Sequence, residues 1–98
     1  MNLTSCLHTF FDQYLPKTKG VSKNTIQSYR QTFGLFVPFA TSSLQREARS
    51  LKLEHLTTQL ILDFLDHLEI GRKNCARTRG HRLAAFKSLA QMIRFLYP

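Results

Sequence analysis

Residues 76–97 read Ala76-Arg77-Thr78-Arg79-Gly80-His81-Arg82-Leu83-Ala84-Ala85-Phe86-Lys87-Ser88-Leu89-Ala90-Gln91-Met92-Ile93-Arg94-Phe95-Leu96-Tyr97. At 3.6 residues per turn, Leu83, Phe86, Leu89, Ala90, Ile93, Leu96 and Tyr97 fall on one apolar stripe. Arg77, Gly80, His81, Ala84, Lys87, Ser88 and Gln91 take the opposite face. The stretch is a long amphipathic helix that needs other helices against its apolar side. Phe95 points away from that stripe, and an exposed Phe commonly marks a contact surface.

Three more helices are legible toward the amino end. Thr57 is a cap for a third helix whose buried stripe is Leu60, Ile61, Phe64, Leu65 and Leu68, with Gly71 as its terminator. Ser22 caps a second, in which Ile26, Tyr29, Phe33, Phe36 and Val37 build the apolar face. Lys23, Gln27, Arg30 and Gln31 form its polar stripe, and Pro38 marks a bend or an end near Phe39. The first spans residues 3–14, with Leu7, Phe10, Phe11, Tyr14 and Leu15 at helical spacing. Residues 16–20, Pro-Lys-Thr-Lys-Gly, read as a loop. Residues 42–50 are looser, with room for one helical turn, and Leu51, Leu53 and Leu56 read as an extended entry into the third helix. No stretch joins strand alternation to turn chemistry. The fold class is therefore all-α, a compact bundle of four to five helices in a single domain over residues 1–98.

The charge is polarised along the chain. From Ile70 onward stand Arg72, Lys73, Arg77, Arg79, Arg82, Lys87 and Arg94 with no Asp or Glu. Asp12, Glu47, Glu54, Asp63, Asp66 and Glu69 all precede them, and the net charge is +8. A one-signed helix surface is the footprint of a polyanion partner, most often duplex DNA. A solvated basic face is the plainer alternative. Two cysteines, Cys6 and Cys75, are too few for a disulfide framework and fit a reducing compartment. No apolar run is long enough to span a bilayer and no secretion signal opens the chain, so a cytoplasmic protein without a membrane partner is expected.

Nothing in the chain has the pattern of an active site. Tyr14, Tyr29 and Tyr97 stand beside no His/Arg cluster, and Tyr29 and Tyr97 fall on apolar stripes. Cys6, His8, Cys75 and His81 are too scattered for metal ligands. Phosphate loops and Ser-His-Asp order are missing as well, so no catalytic residue, metal, cofactor or small-molecule substrate is expected. Gly80 costs about 1 kcal/mol relative to Ala inside a helix. Close approach to a groove, a late helix start, or a tight contact with another helix would each account for it. The Ser22-Lys23-Asn24-Thr25 terminus suits a phosphate oxygen, or is a plain cap.

Three segments together resemble a known module. Ser22-Lys23-Asn24-Thr25-Ile26-Gln27-Ser28-Tyr29-Arg30, followed by Phe33 and Phe36, is similar to the S-x-N-T-hydrophobic-x-x-Y-x opening of the tyrosine recombinase (phage integrase) N-terminal domain, the core-binding or SAM-like domain. Leu56-Thr57 with Ile61, Phe64, Leu65 and Leu68 resembles its I-T-x-x-x-I-x-x-F-L-x-x-L segment. Residues 78–89 resemble its T-x-N-R-x-L-S-A-L-R-x-F helix. Cys75 stands where the family usually has a Ser cap, and Gly80 is unusual so early in the helix.

The resemblance implies a bundle that forms half of a C-shaped clamp on double-stranded DNA, with the second and fourth helices facing the major groove. The expected DNA-binding residues are Lys23, Asn24, Thr25, Gln27, Arg30, Arg77, Arg79, His81, Arg82, Lys87, Ser88 and Gln91. The Lys and Arg side chains would grip phosphates, and Gln27, His81, Ser88 and Gln91 would reach base edges. The family's catalytic Arg, Lys, His and Tyr belong to a separate C-terminal domain that this sequence does not contain. The chain is then expected to be an excised N-terminal fragment, non-catalytic by itself, that pairs with other recombinase protomers on DNA. A helical protein-interaction module with a basic face is the alternative, with Phe95 in its favour. A free-standing helix-turn-helix regulator fits less well, because no tight pair of short helices is visible.

Overall fold

The computed structural model describes residues 2–72 and 76–97, so Lys73, Cys75 and Pro98 lie outside the described residues. The chain opens with α1 (Leu3–Thr9), which widens into a π-helical continuation, Phe10–Lys19. Residues 16–20 are thus helical as far as Lys19 and not the expected loop. Burial is the cause: Phe10, Phe11, Tyr14 and Leu15 are all buried, and i to i+5 winding aligns residues four and five apart. Pro16 lies inside this segment and withholds one donor from it. Gly20 ends the segment at φ +68°, a left-handed conformation that favours glycine.

Helix α2 runs Lys23–Leu44. Ser22 caps it as expected, its Oγ accepting from the Thr25 amide at 3.2 Å. The helix does not end near Phe39. It carries Pro38 inside and continues to Gln45 in the left-handed region. Ala40 is buried, and Phe39 packs on Phe64 and His67 with ring centroids 5.5 and 5.1 Å away, which outweighs the one donor missing at Pro38. Residues 42–44 of the looser stretch therefore belong to α2, and a 3-10 turn follows at Ala48–Ser50.

The expected extended entry is mostly absent. Lys52 makes an isolated antiparallel bridge to Asn2, and Leu53–His55 form a second 3-10 turn. This region is latched to the amino end of α1. Asn2 Nδ2 donates to the Arg49 carbonyl at 2.6 Å, while the Leu3 amide donates to the Leu51 carbonyl at 2.8 Å. Asn2 Oδ1 also accepts from the Ser5 amide at 3.1 Å, so one side chain caps α1 and ties it to the loop.

Helix α3 (Thr58–Arg72) begins at Thr57, whose Oγ1 accepts from the Leu60 amide at 3.1 Å. It passes through Gly71 instead of ending there, because Gly71 keeps a negative φ and so makes no left-handed cap. Helix α4 spans Ala76–Leu96. Its buried line is Ala85, Phe86, Leu89 and Met92, with Leu83 and Ile93 half-buried. Ala90, Leu96 and Tyr97, expected in the core, are exposed. The stripe is rotated toward Ala85 and Met92, and the last turn is only partly covered: the Phe95 ring lies 6.3 Å from the Tyr14 ring, and Leu96 and Tyr97 border a small cavity with Cys6 of α1. Phe95 is 64% exposed, as its helical phase predicts.

The core is an aromatic cluster. Phe36, fully buried on α2, meets Phe33 (6.4 Å), Phe64 of α3 (5.1 Å) and Phe86 of α4 (5.0 Å), each edge to face. Phe10 reaches the same cluster through Phe33 at 6.0 Å. Such pairs contribute about 0.5–1.5 kcal/mol each beyond area burial. Phe36→Ala is expected to lower unfolding free energy by about 3–5 kcal/mol, and Phe36→Leu by clearly less. Urea titration followed by circular dichroism measures both; equal decreases would show that the ring geometry is unimportant.

Candidate nucleic-acid interface

The amino-terminal halves of α2 and α4 leave a cleft between them. One lobe, of about 300 Å³, is lined by Ser28, Gln31, Thr32, Arg77, Thr78, His81 and Arg82. The other, of about 410 Å³, is lined by Asn24, Thr25, Ser28, Tyr29, Gly80, His81 and Ala84. Ser28 and His81 line both lobes, which join there. Among the described residues no carboxylate lines either. Thr32, buried one turn above Ser28, donates its hydroxyl to the Ser28 carbonyl at 3.2 Å.

Of the residues expected at such an interface, Asn24, Thr25, Arg77, His81 and Arg82 are brought together in this cleft. Lys23, Gln27 and Arg30 lie on the flank of α2, around a shallow depression of about 240 Å³. The Arg30 guanidinium carbon sits 4.7 Å from the centroid of the Phe11 ring, a cation–π contact that holds the head group in place. Lys87 and Gln91 are exposed and Ser88 is half-buried, further along α4. Ser28 and Thr32 escape periodicity arguments, because they sit on the border between the polar and apolar stripes. Their signal is the i, i+4 spacing of two small hydroxyl residues facing another helix.

Two arginines three positions apart have opposite surroundings. Arg79 Nη1 donates to Asp66 Oδ1 at 2.7 Å and to Glu69 Oε2 at 2.9 Å. The hydrogen bond to Asp66 raises its guanidinium above the ordinary arginine value. Arg79 therefore ties α4 to α3. Arg82 turns into the cleft, where its Nε is buried and has no hydrogen-bond partner among the described residues. Burial, and then repulsion from Arg72, lowers its pKa. The cleft thus holds a cation whose charge is incompletely compensated, the condition in which an anion is most welcome.

Among the described residues no three His, Cys, Asp or Glu side chains converge as metal ligands, and no helix is long and apolar enough to cross a membrane. Residues 9–94 match the family described as phage integrase, N-terminal SAM-like domain. Two proteins of Sinorhizobium fredii (strain NBRC 101917 / NGR234) are similar. "Putative integrase/recombinase y4rD" is 38% identical over 86 residues, which cover 88% of this chain and 31% of that protein. "Putative integrase/recombinase y4rC" is 35% identical over 97 residues, 99% of this chain and 29% of that protein. The chain thus spans less than a third of the length of these relatives. No solved structure matches it significantly.

A buried donor without a partner costs about 1–3 kcal/mol. Arg82→Met keeps most of the side-chain volume while removing the donor and the charge. A higher melting temperature than the parent chain is the expected result in low-salt buffer, and a lower one would mean that Arg82 is satisfied in solution.

Proposed function

This chain belongs to the phage integrase N-terminal SAM-like family, and from that premise we propose that it is the DNA-binding domain of a site-specific tyrosine recombinase. It grips one recombination half-site through α2 and α4, as a single non-catalytic domain acting in the cytoplasm. One observation carries the reading: among the described residues no carboxylate lines the α2–α4 cleft, which contains Arg77 and the incompletely compensated Arg82. Duplex DNA offers a regular array of phosphate oxygens to such a surface. Arg77, Arg82 and Lys87 contact phosphates from α4, joined by Lys23 and Arg30 from α2. Asn24 and Thr25 receive a phosphate at the α2 terminus. Gln27, His81, Ser88 and Gln91 face base edges. Arg79, engaged by two carboxylates, is assigned to the α3–α4 contact.

The exposed end of α4 favours a protein contact as well. Phe95, Leu96 and Tyr97 are 64%, 41% and 55% exposed. Within the recombinase reading this end meets a neighbouring protomer on DNA. Alone, it supports the second reading, a basic protein-interaction module.

Fluorescence anisotropy of the chain with a mixed-sequence duplex, titrated across several salt concentrations, separates the two. Binding should weaken steeply with salt. Arg77→Ala, Arg82→Ala and Lys87→Ala should each flatten the logarithmic slope by about 0.9 for every phosphate left without its cation, while Arg79→Ala leaves it nearly unchanged. Affinity insensitive to salt would rule out phosphate gripping. No binding at low salt would leave the protein-interaction reading.

A further inference from the structure

Gly80 sits inside α4, more than one turn from its start at Ala76, and its φ is not positive. A late helix start therefore does not explain it. Among the described residues a methyl group built at Gly80 would meet no heavy atom within 4 Å, so a tight contact with another of the described helices does not explain it either. The fold bears the helix cost of a glycine at this position and gains no packing from it. The vacant space opens into the wider lobe of the cleft, between Asn24 and Thr25 of α2 and His81 of α4. Ala84, one turn on, extends the same low floor.

We propose that one sugar-phosphate strand of duplex DNA seats in van der Waals contact with the backbone at Gly80, which thereby sets how deeply the duplex enters the α2–α4 cleft. This rests on the DNA-binding reading and adds a residue that carries no charge and no hydrogen-bonding side chain. Depth matters because Arg77 and Arg82 lie in the adjoining lobe. Charge-assisted hydrogen bonds from their guanidinium groups need donor–acceptor distances of about 2.7–2.9 Å. A strand lifted off the floor by one methyl group loses them or is forced to tilt.

Gly34 supplies a matched comparison. It too lies inside a helix with nothing within 4 Å of a built methyl group, but it lines neither lobe of the cleft. The test compares the parent chain, Gly80→Ala and Gly34→Ala by thermal melting and by anisotropy with one mixed-sequence duplex. Both variants should melt higher, by roughly 4–8 °C for a domain of this size. Only Gly80→Ala should lose affinity, by about tenfold, and Gly80→Leu should lose more. Parent-like binding by Gly80→Ala overturns the seat. An equal loss of affinity in Gly34→Ala overturns its location. A lower melting temperature for Gly80→Ala shows that the fold itself needs the glycine and also overturns the proposal. Failure of the parent chain to bind the duplex removes the DNA reading itself, an outcome distinct from all of these.

Discussion

The edge-to-face contact of Phe36 with Phe64 and Phe86 holds three helices in one arrangement. Each ring presents its positive edge to a neighbour's negative face, which fixes tilt as well as distance. A core of aliphatic chains of the same volume would bury similar area but would let α2 and α4 rotate about their long axes. Such rotation would change which residues border the cleft, because a turn of about 100° carries each side chain to its neighbour's place. The shape of the candidate interface is thus a property of the core.

The electrostatics follow the same division of labour. Acidic residues of α3 neutralise the arginine that faces them, Arg79, and so bind α3 to α4. Among the described residues no carboxylate lines the cleft side of α4, and burial there disfavours the charge on Arg82. One helix therefore carries an arginine engaged by α3 on one flank and an incompletely compensated arginine on another. Two features that weaken the isolated fold, an orphaned Nε and a helix-interior glycine, both border the same cleft.

Local chemistry is legible in the sequence where it stays local. Ser22 and Thr57 cap the helices that periodicity predicts, because a hydroxyl and a free amide three residues apart need nothing else. Phe33, Phe36, Phe64, Phe86 and Leu89 are legible as core from their spacing. Pro16, Pro38 and Gly71 mislead, since burial of Tyr14, Leu15, Phe39 and Ala40 decides the proline stretches and is not visible locally, and a glycine's φ is not written in its neighbours. Periodicity also carries the apolar stripe of α4 on to Leu96 and Tyr97, because how fully the first helix covers that end cannot be read from α4 alone. Partners thirteen and ten positions away decide the surroundings of Arg79, so the sign of the basic surface is readable but not which arginine is engaged. The twelve expected interface residues divide for the same reason: five gather in the cleft, and the rest lie on flanks that only the packing of α2 against α4 defines.

The latch at the amino end has a consequence for the growing chain. Asn2 and its bonding partner Arg49 are separated by 47 positions, and the Leu3 amide waits for the Leu51 carbonyl. At a synthesis rate of about 5–20 residues per second, α1 emerges from the ribosome some seconds before its lid exists. During that interval the Leu3 amide has no Leu51 carbonyl to bond, although Phe10 and Phe11 can already pack on Phe33 of α2. The amino end of α1 therefore stays unlatched until residues 49–51 are made, while the aromatic segment that follows it is covered first by α2.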